Sequence, residues 1–442
     1  MMLPAIAFSL LVLFHTVSFA GSGSSPLKAE VSAKSAILMN AETGKVLFEK
    51  NSRTPMYPAS ITKMITAQYA LERLGNSYDG MITASSDAVS AVQPHVRRAE
   101  NGKHPPYRLE FGGTHMGLKV GETLPFKTLL YGLMLVSAND AANVIAEHVS
   151  GSVSQFMQDM NEYVKSKGCH QTTLFTPHGL THSQHKTTAY DMSLLAREAL
   201  KNPLLCEVVK TVRSVRTASN MQPESFLLQH NALVKPGKFY YPQAMGIKTG
   251  YTSLGGYTLV AAAQDKKRKL VAVLLGCDNL EQRYKDAIAL FDLAFHEKLA
   301  SRTLFAKEFD TFSYKVPGGK TSLQAVLFDD LIVEYFPSEE PIYQSAVHWK
   351  HDALPIMPGQ QVGEVRIFSE QSQLIVSSPL FASKEVRPTL SYTVHAQWCA
   401  LKDLLALHIP LILALVGCGV VGLTFLIYEL TGRDKKRKRS TN

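Results

Sequence analysis

The stretch "PASITKM", residues 58–64, sets Ser60 and Lys63 three positions apart, behind a proline and at the head of an apolar run (Met64, Ile65, Ala67, Tyr69, Ala70, Leu71). Read alone it is an ordinary helix start, in which serine caps the first turn and the lysine points to solvent. The same spacing has a chemical reading. Positions i and i+3 share a helix face, so the Lys63 amine can reach the Ser60 hydroxyl. The helix N-terminus adds free N–H groups and a positive dipole beside that hydroxyl. A lysine acts as a base only when uncharged, which demands burial or a second cation nearby. The rest of the chain decides between the two readings.

The 442 residues are 45% hydrophobic and 19% charged, the texture of a folded protein with room for two domains or more. Of the net charge of +9, the run Arg433–Arg439 (RDKKRKR) supplies +5, and the remainder gives no ground for a nucleic-acid partner. That run follows Leu404–Tyr428, 25 residues with no formal charge. As a helix the stretch exceeds a hydrocarbon core of about 30 Å, so a transmembrane span is expected there, with the basic tail 429–442 in the cytoplasm. At the other end, residues 1–20 are a short apolar segment closing on Ser18-Phe19-Ala20, the pattern of a cleaved leader. Residues 21–403 are then expected on the extracytoplasmic, periplasmic side of the cell membrane. The five cysteines (Cys169, Cys206, Cys277, Cys399, Cys418) have no metal-like spacing and demand no disulfide.

Along the chain, residues 35–50 read as a hairpin turning through Ala41-Glu42-Thr43-Gly44. From Phe126 to Val149 two helical patterns flank the polar break Ser137-Ala138-Asn139-Asp140. Residues 244–276 alternate strand and turn. Asn279–Leu299 read as a closing amphipathic helix with Leu280, Ala287, Leu290, Phe291 and Phe295 on one face. After Leu299 the segments are short and β-prone, separated by Gly, Pro or Ser, which predicts a small all-β domain. The basic, proline-bearing loop Gln93–Arg108 reads as a surface excursion. The expected boundaries are leader 1–20, catalytic domain 21–300, β domain 301–395, link 396–403, span 404–428 and tail 429–442.

Three motifs then combine: Ser60-x-x-Lys63, Ser137-Ala138-Asn139 and Lys248-Thr249-Gly250. Each is common by itself. In this order, on a helix start, an inter-helix turn and a strand, they form the set of the penicillin-binding proteins and β-lactamases. The chain resembles the low-molecular-mass penicillin-binding proteins that are D-alanyl-D-alanine carboxypeptidases. The likeness extends through "ETGKVLFEKN", "YPASITKMITAQYALE", "LLYGLMLVSANDAANVIAEH", "TPHGLTHSQHKTTAYDM" and "GIKTGYTSLGGYTLVAAA", from about Lys34 to Phe295. Ala138 stands where glycine is frequent in that family.

The resemblance implies an α/β (α+β) fold: an antiparallel sheet with helices on both faces, the serine β-lactamase/D,D-peptidase type; the segments read above add the small all-β domain and a C-terminal transmembrane helix, a full span where many relatives use an amphipathic helix. It implies a Ser60 acyl-enzyme with Lys63 as base, no cofactor and no metal. Asn139 would bind the substrate carbonyl and orient Lys63, and Ser137 would relay a proton to the leaving group. Lys248 and Thr249 could hold the free carboxylate of a stem peptide ending in D-Ala-D-Ala. Gly250 would let that peptide approach the strand, and the N–H groups of Ser60 and Tyr251 would form the oxyanion hole. A β-lactam is expected to acylate the same serine.

Rival readings remain at this point. A β-lactamase shares the nucleophile, but the class A enzymes add a deacylating glutamate, and none occurs from Tyr163 to Arg197. A D,D-endopeptidase carries the same three motifs. A zinc peptidase could draw on His178, His182, His185 and Asp191, although no H-E-x-x-H is present. A non-catalytic wall-binding protein would require the motifs to be vestigial.

Overall fold

The computed structural model describes residues 17–19, 26–75, 77–99, 104–307, 309–350 and 353–437. The expected leader, apart from residues 17–19, and the last five residues of the expected tail lie outside them. The chain forms two compact units: residues 22–300 together with 335–340, and residues 1–21 with 301–334 and 341–442.

The first unit is built on a five-stranded antiparallel sheet. Its strands are β1 (Ser35–Asn40), β2 (Val46–Lys50), β3 (Ala244–Thr252), β4 (Gly256–Gln264) and β5 (Lys269–Cys277), in the order β3-β4-β5-β1-β2. Side chains alternate between the two faces of a strand, and both faces here are buried, so β5 reads KLVAVLLGC with no polar alternation. One set of residues (Ile37, Met39, Ile247, Val260, Ala262, Val271, Val273) packs on α1 (Thr62–Leu74), α2 (Phe126–Leu135), α3 (Asn139–Ser150), α4 (Val153–Ser166), α5 (Ala189–Ala199) and α6 (Pro203–Lys210). The alternate set (Ala36, Leu38, Leu259, Ala261, Ala272, Leu274) packs on α7 (Gln282–Phe295) through Tyr284, Ala287, Leu290 and Phe291.

Three expectations shift. The closing helix runs over Gln282–Phe295 and not Asn279–Leu299: ahead of it the Asn279 side chain accepts from the Gln282 N–H at 2.9 Å in a turn that leaves Leu280 exposed. The polar break is shorter than read: α3 starts at Asn139 and has Asp140 in its first turn. The basic loop is not wholly a surface excursion. It carries a short helix, Pro94–Arg98, and buries Arg97, whose guanidinium meets Glu110 at 2.7 Å and the main-chain oxygens of Pro106 and Thr181 at 3.2 and 2.8 Å. Arg97 is thus neutralised locally instead of solvated; residues 100–103 of the loop lie outside the described residues.

The second unit has a six-stranded sheet whose neighbours are antiparallel, in the order Val17–Phe19, Tyr343–Trp349, Gln361–Ser369, Leu374–Ala382, Leu323–Leu327, Thr311–Tyr314. Its core is mainly aliphatic, with Leu323, Val333, Val347, Val362, Val365, Ile367 and Leu380 buried beside Phe305 and Tyr343. A helix of 48 residues, α8 (Leu390–Arg437), closes the chain and includes residues 396–403, read from sequence as a link. Among the described residues no helix is long and apolar enough to cross a membrane. The side chains of residues 407, 410–412 and 414, inside the expected 404–428 span, are not among those described. All five cysteines are free.

Candidate active site

Ser60 lies in a 3-10 turn, Ala59–Ile61, that runs directly into α1. No side-chain cap closes either turn, which removes the bland role for the serine. Its hydroxyl instead sits 3.0 Å from the Lys63 amine. Two further contacts define that amine: Asn139 Oδ1 at 2.7 Å and the main-chain oxygen of His178 at 2.7 Å. Both of those oxygens can only accept. A neutral amine has two N–H bonds and one lone pair, so the two carbonyls take the protons and the lone pair is left to face the Ser60 O–H. That is the arrangement a general base requires.

Lys63 is fully buried, and burial pushes its amine well below the ordinary lysine value. The Lys248 charge acts in the same direction and Asp140 opposes it. Lys248 is itself buried and pulled down to about 7, first by burial and then by the Arg283 guanidinium. Its ammonium donates to the Thr249 main-chain oxygen at 3.1 Å. The second cation foreseen from sequence therefore lies close enough to act on Lys63, although desolvation contributes more.

Strand β3 is packed onto the serine turn. A Cβ on Gly250 would stand 2.8 Å from the Ser60 nitrogen and 2.4 Å from Thr258 Oγ1, so only glycine permits this approach. Thr258 ties β4 to the turn by donating to the Pro58 oxygen at 2.9 Å. Arg283 fixes the strand from behind, donating to the oxygens of Gly250 and Thr258 at 3.0 and 3.3 Å. Thr249 is buried and Tyr251 exposed. Ser137 occupies the break before α3 with φ of 63°, in the left-handed region, and its buried hydroxyl has no hydrogen-bond partner among the described residues.

Lys63 thus touches both Ser60 and Asn139, Gly250 abuts the serine, and Lys248 acts on Lys63 through its charge. Three participants carried no sequence signal of their own. The His178 carbonyl is main chain, Arg283 belongs to a helix that reads as core, and Gly179 shows its purpose only in space: a Cβ there would fall 1.9 Å from the Ala59 oxygen. The histidines of the zinc alternative are engaged elsewhere. His178 Nδ1 accepts from the Leu180 N–H, and its Nε2 lies 3.0 Å from the Tyr107 oxygen. His185 Nδ1 accepts from the Phe175 N–H, with Nε2 at 3.1 Å from Thr62 Oγ1. His182 stacks on Phe175, and the Asp191 carboxylate accepts from the Gln171 N–H and the Thr172 hydroxyl. Among the described residues no three metal-capable side chains cluster.

The chain is similar to known proteins over most of its length. The D-alanyl-D-alanine carboxypeptidase DacF of Bacillus subtilis is 29% identical over 384 residues, covering 86% of this chain and 92% of the relative. The crystal structure of the D-alanyl-D-alanine carboxypeptidase DacD from Francisella tularensis shares the fold at a TM-score of 0.56, with 23% identity, over 83% of this chain and 96% of that one. A D-alanyl-D-alanine carboxypeptidase from Mycobacterium tuberculosis superposes at a TM-score of 0.52 with 26% identity, over 62% of this chain and 94% of its own. The family described as D-alanyl-D-alanine carboxypeptidase matches residues 22–279. That match takes in more than half of the chain, which belongs to the D-alanyl-D-alanine carboxypeptidase family and is a serine-type carboxypeptidase.

Proposed function

We propose that Ser60 attacks the D-Ala–D-Ala amide of peptidoglycan stem pentapeptides. Lys63 takes the hydroxyl proton as the C–O bond forms, and the collapsing tetrahedral intermediate expels D-alanine, which receives a proton through Ser137. Water, activated by the same amine, then hydrolyses the ester. The observation that carries this reading is the Lys63 amine, held by two carbonyls with its remaining direction toward Ser60 Oγ. Lys248 and Thr249 receive the terminal carboxylate, and the Asn139 amide N–H groups receive a substrate carbonyl. The Ser60 and Tyr251 N–H groups stabilise the oxyanion. A β-lactam ring opened by Ser60 gives the same ester without a departing D-alanine. Slow hydrolysis of that ester makes the drug an inhibitor, consistent with the missing glutamate between Tyr163 and Arg197.

The same reading carries a location. Residues 1–20 act as a leader, 404–428 as a single membrane span and 429–442 as a cytoplasmic tail, leaving the peptidase outside the cytoplasm near its wall substrate. Support comes from the uncharged 25-residue stretch, the basic run after it and the helix that contains it. Extraction of membranes with alkaline carbonate tests the anchor: release of the protein into the supernatant overturns it.

Mass spectrometry of the protein with a synthetic stem pentapeptide tests the reaction. Loss of one D-alanine is expected, together with a penicillin adduct on Ser60. Cleavage of an added cross-linked dimer in preference to the pentapeptide would favour the endopeptidase.

A further inference from the structure

Asp140 follows Asn139 directly and has no role in the chemistry above. Its side chain is buried, and main-chain donors fill both oxygens. Oδ1 accepts from the N–H groups of Met116 at 3.0 Å and Ala141 at 2.9 Å. Oδ2 accepts from Gly117 at 2.9 Å and Leu118 at 3.0 Å. The loop gripped in this way holds the catalytic turn in return, since the Thr114 oxygen accepts from the Asn139 N–H at 2.8 Å. Its outer side is fastened by Gln222, whose Nε2 donates to the Gly117 oxygen at 2.7 Å.

The turn needs such a brace. Ser137 is a non-glycine residue at φ of 63°, a conformation that persists where the surroundings over-determine it. Two residues on, Asn139 must present its oxygen to the Lys63 amine at 2.7 Å. Asp140 also has the opposite sign to the other charge facing that amine. Lys248 reaches it from β3, Asp140 from α3, and His178 faces it from the connecting loop in uncharged form.

We propose that Asp140 is a positioning residue for the reaction: through the 114–118 loop it fixes the Ser137–Asn139 turn against Lys63, and its negative charge behind Asn139 balances Lys248. This rests on Lys63 acting as the base. The test follows acylation of Ser60 by benzylpenicillin against pH in the full-length protein, comparing wild type, Asp140→Asn and Asp140→Glu. The asparagine variant is expected to lose about 10²-fold of its plateau rate, as misplaced catalytic groups do. The acid limb of its profile is expected to move about one unit lower, because a favourable charge near the amine is gone. The glutamate variant keeps the charge, so its limb stays in place while its rate falls.

A purely structural role would lower the thermal midpoint and leave the limb of the folded fraction unmoved. That result, or wild-type behaviour in both variants, overturns the proposal. If the asparagine variant shows no cooperative unfolding transition, the glutamate variant decides: a lowered plateau rate at the wild-type thermal midpoint supports the proposal, and an unchanged rate, or a rate that falls only with the folded fraction, overturns it. Absence of any Ser60 adduct in the wild type would overturn the serine–lysine reading itself.

Discussion

The two units bury different chemistry. Within residues 22–300 the interior holds Lys63, Lys248, Asp140, Asn139, Asn143, His178, Glu122, Arg216, Arg268 and Asp286. In the β unit, among the described residues, Ser345 is the one buried polar side chain. Removing a charge from water costs several kcal/mol unless partners replace the solvent, so an interior built for stability alone avoids it, as the β unit does. The peptidase unit accepts that cost repeatedly. Some of its charges are neutralised on the spot, as where Arg216 meets Glu122 at 2.5 Å and Arg268 meets Glu297 at 2.9 Å. Lys63 and Lys248 are different: two amines in dry surroundings with no carboxylate against either among the described residues, Lys63 pulled down by burial and by Lys248, and Lys248 by burial and by Arg283. The difference teaches where function resides, because only a site that needs an uncharged lysine gains from such a pair.

Breaking the peptidase side of this contrast has the largest expected effect. Ser60→Ala removes the nucleophile and is expected to lower D-alanine release by at least about 10⁴-fold, with penicillin labelling abolished and the thermal midpoint nearly unmoved. Persistent labelling of that variant would transfer the nucleophile to another residue. Lys63→Arg replaces the neutral amine by a guanidinium that cannot give up its proton, so a loss of about 10³-fold in acylation rate is expected from stopped-flow traces. Gly250→Ala forces a Cβ toward the Ser60 nitrogen and Thr258 Oγ1. Displacement of the strand from the serine is expected to reduce kcat/KM by about 10²-fold.

The pH profile sharpens the contrast further. On the proposed mechanism acylation requires Lys63 uncharged and carboxylate capture requires Lys248 charged, so the rate is expected to fall on the acid side as Lys63 gains a proton. It falls again on the alkaline side as Lys248, near 7 in the free protein, loses its own. Each limb is expected to drop about tenfold per pH unit, and a flat alkaline side with Lys248→Gln as active as wild type would remove the carboxylate role. The smallest effect is expected in the other unit. Ile367→Ala opens a cavity in the aliphatic core and lowers stability by about 2–5 kcal/mol, while kcat/KM per folded molecule stays at the wild-type value. A fall in kcat/KM at constant folded fraction would show that the two units are not chemically independent.

Much of the fold was legible before any coordinates. The hairpin over residues 35–50 became β1 and β2, and the three runs over 244–276 became β3, β4 and β5, because a strand buried on both faces writes itself as an uninterrupted apolar run bounded by turn residues. Boundaries were less legible. The apolar pattern carried the closing helix over Asn279–Leu299 where it runs Gln282–Phe295, and α3 begins inside the polar break, at Asn139. Backbone conformation sets helix ends, and hydropathy does not register it. The basic loop misled for a related reason: a run of charges reads as solvated until a partner such as Glu110, 13 positions away from Arg97, is seen beside it.

The amino-acid order alone determined the reactive inventory, because covalent chemistry needs a hydroxyl, an amine and an amide, and their spacing on a helix, a turn and a strand is written along the chain. Only the tertiary structure decided how strongly that amine holds a proton and which way it points. Those depend on what surrounds Lys63: a main-chain carbonyl from residue 178, the Asn139 oxygen, a second lysine from β3 and the absence of solvent. Desolvation and Coulomb interactions act through space, whatever the distance along the sequence.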